Sequence, residues 1–182
     1  MVRNLLLINM QINTSLRACD TLALRVGDIF KNGRFLDKFW LEQKKTKEQV
    51  GIKIFDCIRD DLEYARVIYQ KHLSSVYFDD PENPLFPSYR HGTERFFKPI
   101  SYSMYLKLVK DWVEEIGLNR DMYGTHSLRV SLPLAVYKKI HDTSLVKEFL
   151  GHSCESTTQI YLKQIAKVEA QDSRENYLFT DF

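Results

Sequence analysis

Apolar residues recur at helical spacing along most of this chain of 182 residues. Leu62, Ala65 and Tyr69 are separated by three and four residues, which predicts a helix over residues 59–75. The same spacing predicts a helix over residues 101–116. Shorter helices are expected over residues 126–139, 143–150 and 156–164. The chain is therefore predicted to be mostly α-helical.

One stretch, between residues 35 and 54, departs from this pattern. Val50, Ile52 and Ile54 alternate with other residues, and the polar, basic segment Lys44 to Glu48 precedes them. Alternation with a period of two is typical of a strand with one buried face, so we expect a two-stranded hairpin with a basic tip. The expected fold class is α+β, mostly helical, with this small antiparallel sheet.

Turn and cap residues set the expected ends of the other elements. Asn13, Thr14 and Ser15 are types that cap helix N-termini, so a first helix is expected to start there and to end near Gly27. Arg17 would then lie in its first turn. Four prolines between residues 81 and 99 predict a long loop. Pro133 predicts a kink or a late start in the helix expected over residues 126–139.

Composition excludes several classes of protein. The apolar run from Leu5 to Ile8 is far shorter than the roughly 18 residues of a membrane span, so no membrane association is expected. Three scattered cysteines fit neither a disulfide framework nor a zinc site, and we expect a cytoplasmic protein. A formal net charge of +2 does not by itself indicate a nucleic-acid binder, because such proteins are recognised by clustered charge.

Chemically useful side chains are concentrated between residues 125 and 161. His126 and Arg129 share one helical face, so both can reach one ligand. His152 follows Gly151 at the expected end of a helix, and Tyr161 lies farther along. An arginine fork binds phosphate oxygens through two parallel hydrogen bonds, and a tyrosine becomes a nucleophile once its proton is removed. Each residue alone is more often structural, but together they indicate a site that holds and attacks a phosphodiester.

The full set of motifs resembles the catalytic domain of the tyrosine recombinases, the phage integrase family. The resemblance covers nearly the whole chain, and the spacing from the Gly-His pair to the tyrosine is its most specific part. Further matches around Arg17 and at the hairpin tip resemble a group of short bacterial integrase-like proteins. The motifs are, in chain order, Ser15 to Asp20 with Arg17, Lys45-Thr46, Gly124 to Arg129, Leu150 to His152 and Thr157 to Tyr161.

This resemblance implies a role for each matching residue. Arg17 and Arg129 would bind the scissile phosphate, and Tyr161 would attack it to form a 3'-phosphotyrosyl link to DNA. The histidines His126 and His152 would donate hydrogen bonds and assist proton transfer. Asp20 would brace the active-site arginine without reacting.

A hairpin lysine would protonate the departing 5' oxygen. The Glu-Gln-x-Lys-Thr arrangement favours Lys45 for this role, with Lys44 and Lys47 as alternatives and as expected DNA-binding residues. A basic hairpin tip is otherwise a solvated turn, and charge alone favours that simpler interpretation. The implied chemistry needs no ATP, cofactor or metal.

The resemblance also implies partners and a domain organisation. A catalytic domain is expected over residues 1–164 and a C-terminal tail, interpreted as a helix exchanged between protomers, over residues 165–182. Only about sixteen residues precede Arg17, so an N-terminal core-binding domain is not expected in this chain. The expected partner is double-stranded DNA, with a monomer in free solution and a tetrameric synapse on DNA. Such a protein is encoded by a bacterium, a phage or another mobile element.

Three functions are compatible with these residues. A site-specific recombinase or integrase is favoured by the complete set of catalytic residue types. A type IB topoisomerase shares the chemistry, but such enzymes generally place a lysine where His126 stands. A non-catalytic DNA-binding or regulatory remnant of an integrase is the third alternative.

Overall fold

A computed structural model describes residues 2–88 and 97–150, with side chains described as far as residue 146. The chain divides into two compact units, Met1–Leu132 and Pro133–Phe182. The fold class is α+β and mostly helical, which confirms the expectation. The helix expected over residues 156–164, the C-terminal tail, His152 and Tyr161 lie outside the described residues.

The first unit contains most of the described elements. In chain order they are α1 (Val2–Thr14), α2 (Ala18–Thr21), α3 (Val26–Ile29), β1 (Phe30–Lys31), β2 (Arg34–Phe35), β3 (Lys38–Glu42), β4 (Gln49–Lys53), α4 (Asp56–His72), a 3-10 turn (Tyr77–Asp79) and α5 (Tyr102–Glu115). Helix α6 (Thr125–Ile140) begins in the first unit, and α7 (Thr143–Leu150) lies in the second.

Helix α1 was not predicted, although its buried face is clear in the structure. Leu6, Leu7 and Met10 are fully buried where α1 packs on α4. These three apolar residues form a narrow buried face on α1, and the polar residue Gln11, which is also fully buried, extends it. A buried polar residue breaks the apolar spacing that sequence reading relies on, because its hydrogen bonds to distant residues are not visible in the sequence.

The expected helix start at residues 13–15 is wrong, because these residues end α1. The side chains of Asn13 and Thr14 donate to the carbonyls of Asn9 and Met10 at 2.9 and 2.6 Å, one turn earlier. Ser15 then adopts a left-handed conformation with φ of 53°, which stops the helix. Short polar side chains hydrogen-bond to backbone groups on either side, so the same types occur at both helix ends.

The single helix expected from residue 15 to residue 27 is also wrong, since the chain forms two one-turn helices, α2 and α3. Between them the carbonyl of Leu24 accepts from the N–H of Leu85, and the N–H of Val26 donates to the carbonyl of Asn83, both at 2.9 Å. The backbone bonds that a continuous helix would make are thus made to a segment about 60 residues later.

The predicted hairpin is confirmed as β3 paired antiparallel with β4, with Phe39 opposite Ile52. Phe39 is buried on the inner face, whereas Trp40 is 63% exposed on the outer face with the ammonium of Lys38 4.4 Å from its ring centroid. A second, two-residue ladder of β1 and β2 precedes the hairpin and was not predicted. One face of the β3–β4 hairpin packs on the core, and residues 44–48 at its basic tip are exposed.

The remaining predicted helices agree with α4, α5, α6 and α7 to within about three residues at each end. Pro133 lies inside α6, so a helix start after this proline is wrong. Within the described part of the chain, no helix has the length and apolar character that crossing a membrane requires.

Candidate active site

Arg17 lies in the turn between α1 and α2, where it is half-buried and occupies the N-cap position of α2. Its Nη1 donates to Oε1 of Gln43, a buried residue that directly follows β3. The hydroxyl of Thr46 donates to the same oxygen at 2.9 Å. One amide oxygen therefore holds both the guanidinium of Arg17 and the turn that carries Lys45.

Asp20 makes a second connection between α2 and the hairpin. The carboxylate is 3% exposed, and its Oδ1 accepts the main-chain N–H of Lys44 at 2.9 Å and the thiol of Cys19 at 3.7 Å. Its negative charge also raises the pKa of Arg129, against the larger effects that lower it. Asp20 thus fixes the backbone of the hairpin tip and supports a site arginine electrostatically.

The three lysines of the tip have different surroundings. Lys45 is exposed, and its positive charge contributes to lowering the pKa of His126. Lys47 has a left-handed backbone, and its Nζ lies 3.6 Å from a carboxylate oxygen of Glu42. Lys44 is held through its backbone to Asp20, and its charge acts on Cys19. Among these three, Lys45 is the lysine whose charge acts on a site histidine.

Helix α6 begins at Thr125 and presents His126 and Arg129 in its first turn. The N–H of Gly124 donates to the hydroxyl of Ser127 at 3.1 Å, and Ser127 returns its N–H to the carbonyl of Gly124 at 2.9 Å. This reciprocal pair fixes the entry into the helix. His126 is exposed, whereas Arg129 is 1% exposed.

Burial and then the charge of Arg17 lower the pKa of Arg129 to about 10, so its guanidinium remains protonated at neutral pH. Partial desolvation, followed by the charges of Arg129, Arg17 and Lys45, lowers the pKa of His126. A cluster of cations that disfavour one another's charge is well suited to an anionic ligand, because the anion relieves the repulsion.

The structure therefore brings together four of the six predicted catalytic residues: Arg17, Lys45, His126 and Arg129 act on one another electrostatically. The other two, His152 and Tyr161, lie outside the described residues. Asp20, which was expected to brace the active-site arginine, binds the main chain of Lys44 at the hairpin tip. Among the residues that the structure describes, no group of three or more histidine, cysteine or acidic side chains is arranged to hold a metal ion.

No role was predicted for Gln43 or Gln11. Gln43 lies within the Glu-Gln-x-Lys-Thr arrangement that favoured Lys45, so its position beside the lysine was the available signal. Gln11 lies outside every motif and 114 residues before its partner, and only the structure shows that its Nε2 donates to the carbonyl of Thr125 at 2.8 Å.

All four clustered residues lie in a part of the chain that is similar to known proteins. The Phage integrase family model matches residues 1–167. Tyrosine recombinase XerH of Campylobacter jejuni is 26% identical over 161 residues, which cover 88% of this chain and 41% of that protein. Tyrosine recombinase XerD of Oceanobacillus iheyensis is 27% identical over 176 residues, which cover 97% of this chain and 54% of that protein. The chain thus spans about half the length of these curated relatives.

Solved structures show the same fold. XerH site-specific recombinase bound to its palindromic difH substrate, in a post-cleavage complex, superposes with a TM-score of 0.66 at 23% identity, covering 97% of this chain and 46% of that one. XerA recombinase superposes with a TM-score of 0.68 at 16% identity, covering 94% of this chain and 57% of that one.

Proposed function

This chain belongs to the phage integrase family, and we propose that it is a site-specific DNA recombinase or integrase that cleaves and rejoins strands through a 3'-phosphotyrosyl intermediate. The observation that carries the proposal is the clustering of Arg17, Lys45, His126 and Arg129, which come from three separate parts of the sequence. In phosphodiester cleavage, arginine would bind the phosphate, lysine would donate a proton and histidine would assist proton transfer. All three tasks are needed at one phosphate.

The two arginines would bind the scissile phosphate. Attack at phosphorus places extra negative charge on its non-bridging oxygens, and a positioned guanidinium stabilises that charge through paired hydrogen bonds. Arg129 is buried, so it meets phosphate from a fixed position with little solvent screening. Arg17 is held by Gln43, which orients its fork without neutralising its charge.

The nucleophile would be the phenol oxygen of Tyr161. That oxygen forms a bond to phosphorus while the bond from phosphorus to the 5' oxygen breaks, so the 3' end becomes linked to the protein and the 5' strand is released. The phenol loses its proton, a transfer that His126 and His152 would assist by accepting or relaying it. A free 5' hydroxyl later attacks the phosphotyrosine and reverses the step. The phosphodiester bond energy is kept throughout.

Lys45 would supply the proton that the departing 5' oxygen needs. It lies at the tip of a hairpin whose backbone is tied to Asp20 and whose turn is tied to Gln43. These bonds hold the tip beside Arg17, the residue that would hold the phosphate. Lys44 and Lys47 would contact the DNA backbone from the same tip.

The proposed partner is double-stranded DNA, and assembly into a tetrameric synapse would take place on that DNA in the cytoplasm. Support comes from similar structures that contain DNA: XerH with its difH substrate and the Tn1549 transposon integrase with circular-intermediate DNA. The catalytic part would comprise residues 1–164, and residues 165–182 would form a tail that docks on a neighbouring protomer.

A pool of nicked duplexes with randomised sequence tests this function. The protein is incubated with the pool, covalent protein–DNA adducts are isolated under denaturing conditions, and the attached DNA is sequenced. A site-specific recombinase enriches one sequence family around the cleavage point. Adducts without sequence enrichment would instead support a type IB topoisomerase-like enzyme, and the absence of adducts on every duplex would contradict both activities.

A further inference from the structure

Gln11 is a fully buried amide inside the first unit, and both of its ends are hydrogen-bonded to other helices. Its Oε1 accepts from the hydroxyl of Tyr105 on α5. Its Nε2 donates to the main-chain carbonyl of Thr125, the first residue of α6, at 2.8 Å. Gln11 and Tyr105 are both 0% exposed. Three helices are therefore joined by one chain of hydrogen bonds in the order Tyr105, Gln11, Thr125.

The last acceptor in this series of hydrogen bonds is the carbonyl of Thr125, which also belongs to the first turn of α6. In an α-helix the carbonyl of residue i accepts the N–H of residue i+4, which assigns the carbonyl of Thr125 to the N–H of Arg129. A carbonyl oxygen has two lone pairs and can accept both bonds. Gln11 therefore binds the same oxygen that closes the helical turn holding His126 and Arg129.

The donor end of the chain is equally well defined. Burial raises the pKa of Tyr105, so its hydroxyl keeps its proton and remains a donor. An amide oxygen only accepts and an amide nitrogen only donates. The donors and acceptors are thereby fixed: the hydroxyl of Tyr105 donates to Gln11, and Gln11 donates to the carbonyl of Thr125. We call these two hydrogen bonds the relay.

Gln11 is anchored in the buried core of the first unit. Gln11 follows Met10, which is fully buried with Leu6 and Leu7 in the contact between α1 and α4. The hydroxyl of Tyr102 lies 3.4 Å from the hydroxyl of Thr125, which adds a second link between α5 and the start of α6. The first turn of α6 is held from α1 and α5 at the same residue.

We infer that Gln11 and Tyr105 are positioning residues, which fix the first turn of α6 and thereby the places of His126 and Arg129 at the phosphate. The inference rests on the proposed function. Neither residue would touch DNA or the reacting atoms. A displacement of about 1 Å in a reacting group slows catalysis by as much as roughly a hundredfold, so a lost anchor has a measurable kinetic effect.

The test compares two tyrosines that each lose one buried hydroxyl. Tyr105→Phe removes the donor to Gln11, and Tyr77→Phe removes the bond from a fully buried hydroxyl to the carbonyl of Pro84 at 2.6 Å. Both variants lose a buried donor from the same core, but only the first loses a link to α6. The rate of adduct formation on a saturating nicked duplex and the affinity for DNA are measured for each.

Tyr105→Phe is expected to slow adduct formation at least tenfold while the dissociation constant for DNA changes less than twofold. Tyr77→Phe is expected to leave the rate within twofold. Equal rates in the two variants would overturn the inference. Gln11→Met, which keeps the length of the side chain and removes the amide, should slow the reaction like Tyr105→Phe, and the double variant should be no slower than Gln11→Met alone.

A readout that needs no cleavage separates this inference from the proposed function. The ring protons of His126 are titrated by NMR in the wild type and in the three single variants. A shifted titration midpoint in Tyr105→Phe and Gln11→Met, with an unchanged midpoint in Tyr77→Phe, supports the relay even if the wild type forms no adduct. Midpoints equal to that of the wild type in both relay variants would overturn it, even if adducts form.

Discussion

The main-chain N–H of Lys44 lies 2.9 Å from Oδ1 of Asp20, and this bond ties the tip of the β3–β4 hairpin to α2. Arg17 stands at the N-cap of the same helix. The hairpin that carries the candidate proton donor is therefore tied to the same short helix that begins at Arg17, the candidate phosphate ligand.

Asp20→Asn should destabilise the fold and slow cleavage, because the buried hydrogen bond to Lys44 loses its charged acceptor. A hydrogen bond to a charged group contributes about 1.5–3 kcal/mol and one to a neutral group about 0.5–1.5 kcal/mol, so a loss of roughly 1–1.5 kcal/mol is expected in urea unfolding. Asp28→Asn is the matched control, since Asp28 accepts the main-chain N–H of Arg25 at 2.8 Å at an exposed site. A free energy of unfolding that falls equally in both variants would contradict the special role of Asp20.

Lys45→Ala should lower the cleavage rate by about 10²–10⁴, the usual contribution of general acid catalysis. A duplex with sulfur in place of the departing 5' oxygen should restore the rate, since a thiolate leaves without being protonated. Lys44→Ala and Lys47→Ala should weaken DNA binding and show no such rescue. If the sulfur duplex rescued Lys47→Ala and not Lys45→Ala, the proton donor would be Lys47 despite its contact with Glu42.

Gln43→Leu should slow cleavage by about tenfold, equivalent to roughly 1.4 kcal/mol, because the guanidinium of Arg17 and the hydroxyl of Thr46 lose their common acceptor. The control is Gln49→Leu, which changes an exposed residue of β4 in the same hairpin. Single-turnover adduct formation measures both. A Gln43→Leu rate that matches the Gln49→Leu rate would show that Arg17 needs no help from Gln43.

The ring of His126 should titrate below the ordinary histidine value of about 6.5, because desolvation and three nearby cations lower its pKa. As pH falls, the unfolded chain takes up this proton first. The stability contributed by neutral His126 is therefore present above about pH 6.5 and is lost as pH falls through the lowered pKa. NMR titration and unfolding measured over this pH range check both statements.

Lys45→Ala should raise the midpoint of that titration, since it removes one of the three cations. Lys47→Ala is the control and should leave it unchanged. A wild-type midpoint at or above 6.5 would contradict the electrostatic cluster.

The sequence was most informative where a residue's local neighbours determine its structure. The period of two over Val50, Ile52 and Ile54 predicted the β3–β4 hairpin, and spacing predicted α4 and α5. Local spacing also placed His126 and Arg129 on one turn. Backbone geometry gives helices and strands their periods, and burial of one face makes the apolar residues follow the same period in the sequence.

Elements that depend on distant hydrogen bonds were not predictable. Leu24 and Val26 bond to Leu85 and Asn83, so α2 and α3 replace one longer helix. Gln11 is buried because two other helices supply its partners. The roles of Gln43 and Gln11 were not predictable for the same reason, since the partners of a side-chain amide must be known before its role can be assigned.

A nicked suicide duplex identifies the nucleophile, because it traps the covalent adduct. After cleavage the short 5' strand diffuses away, the reaction cannot reverse, and the covalent adduct accumulates on a denaturing gel. Digestion of the adduct and mass spectrometry identify the linked residue. We expect an adduct through Tyr161 in the wild type and none in Tyr161→Phe. An adduct that survives in Tyr161→Phe, or a wild type that forms none, would contradict this expectation.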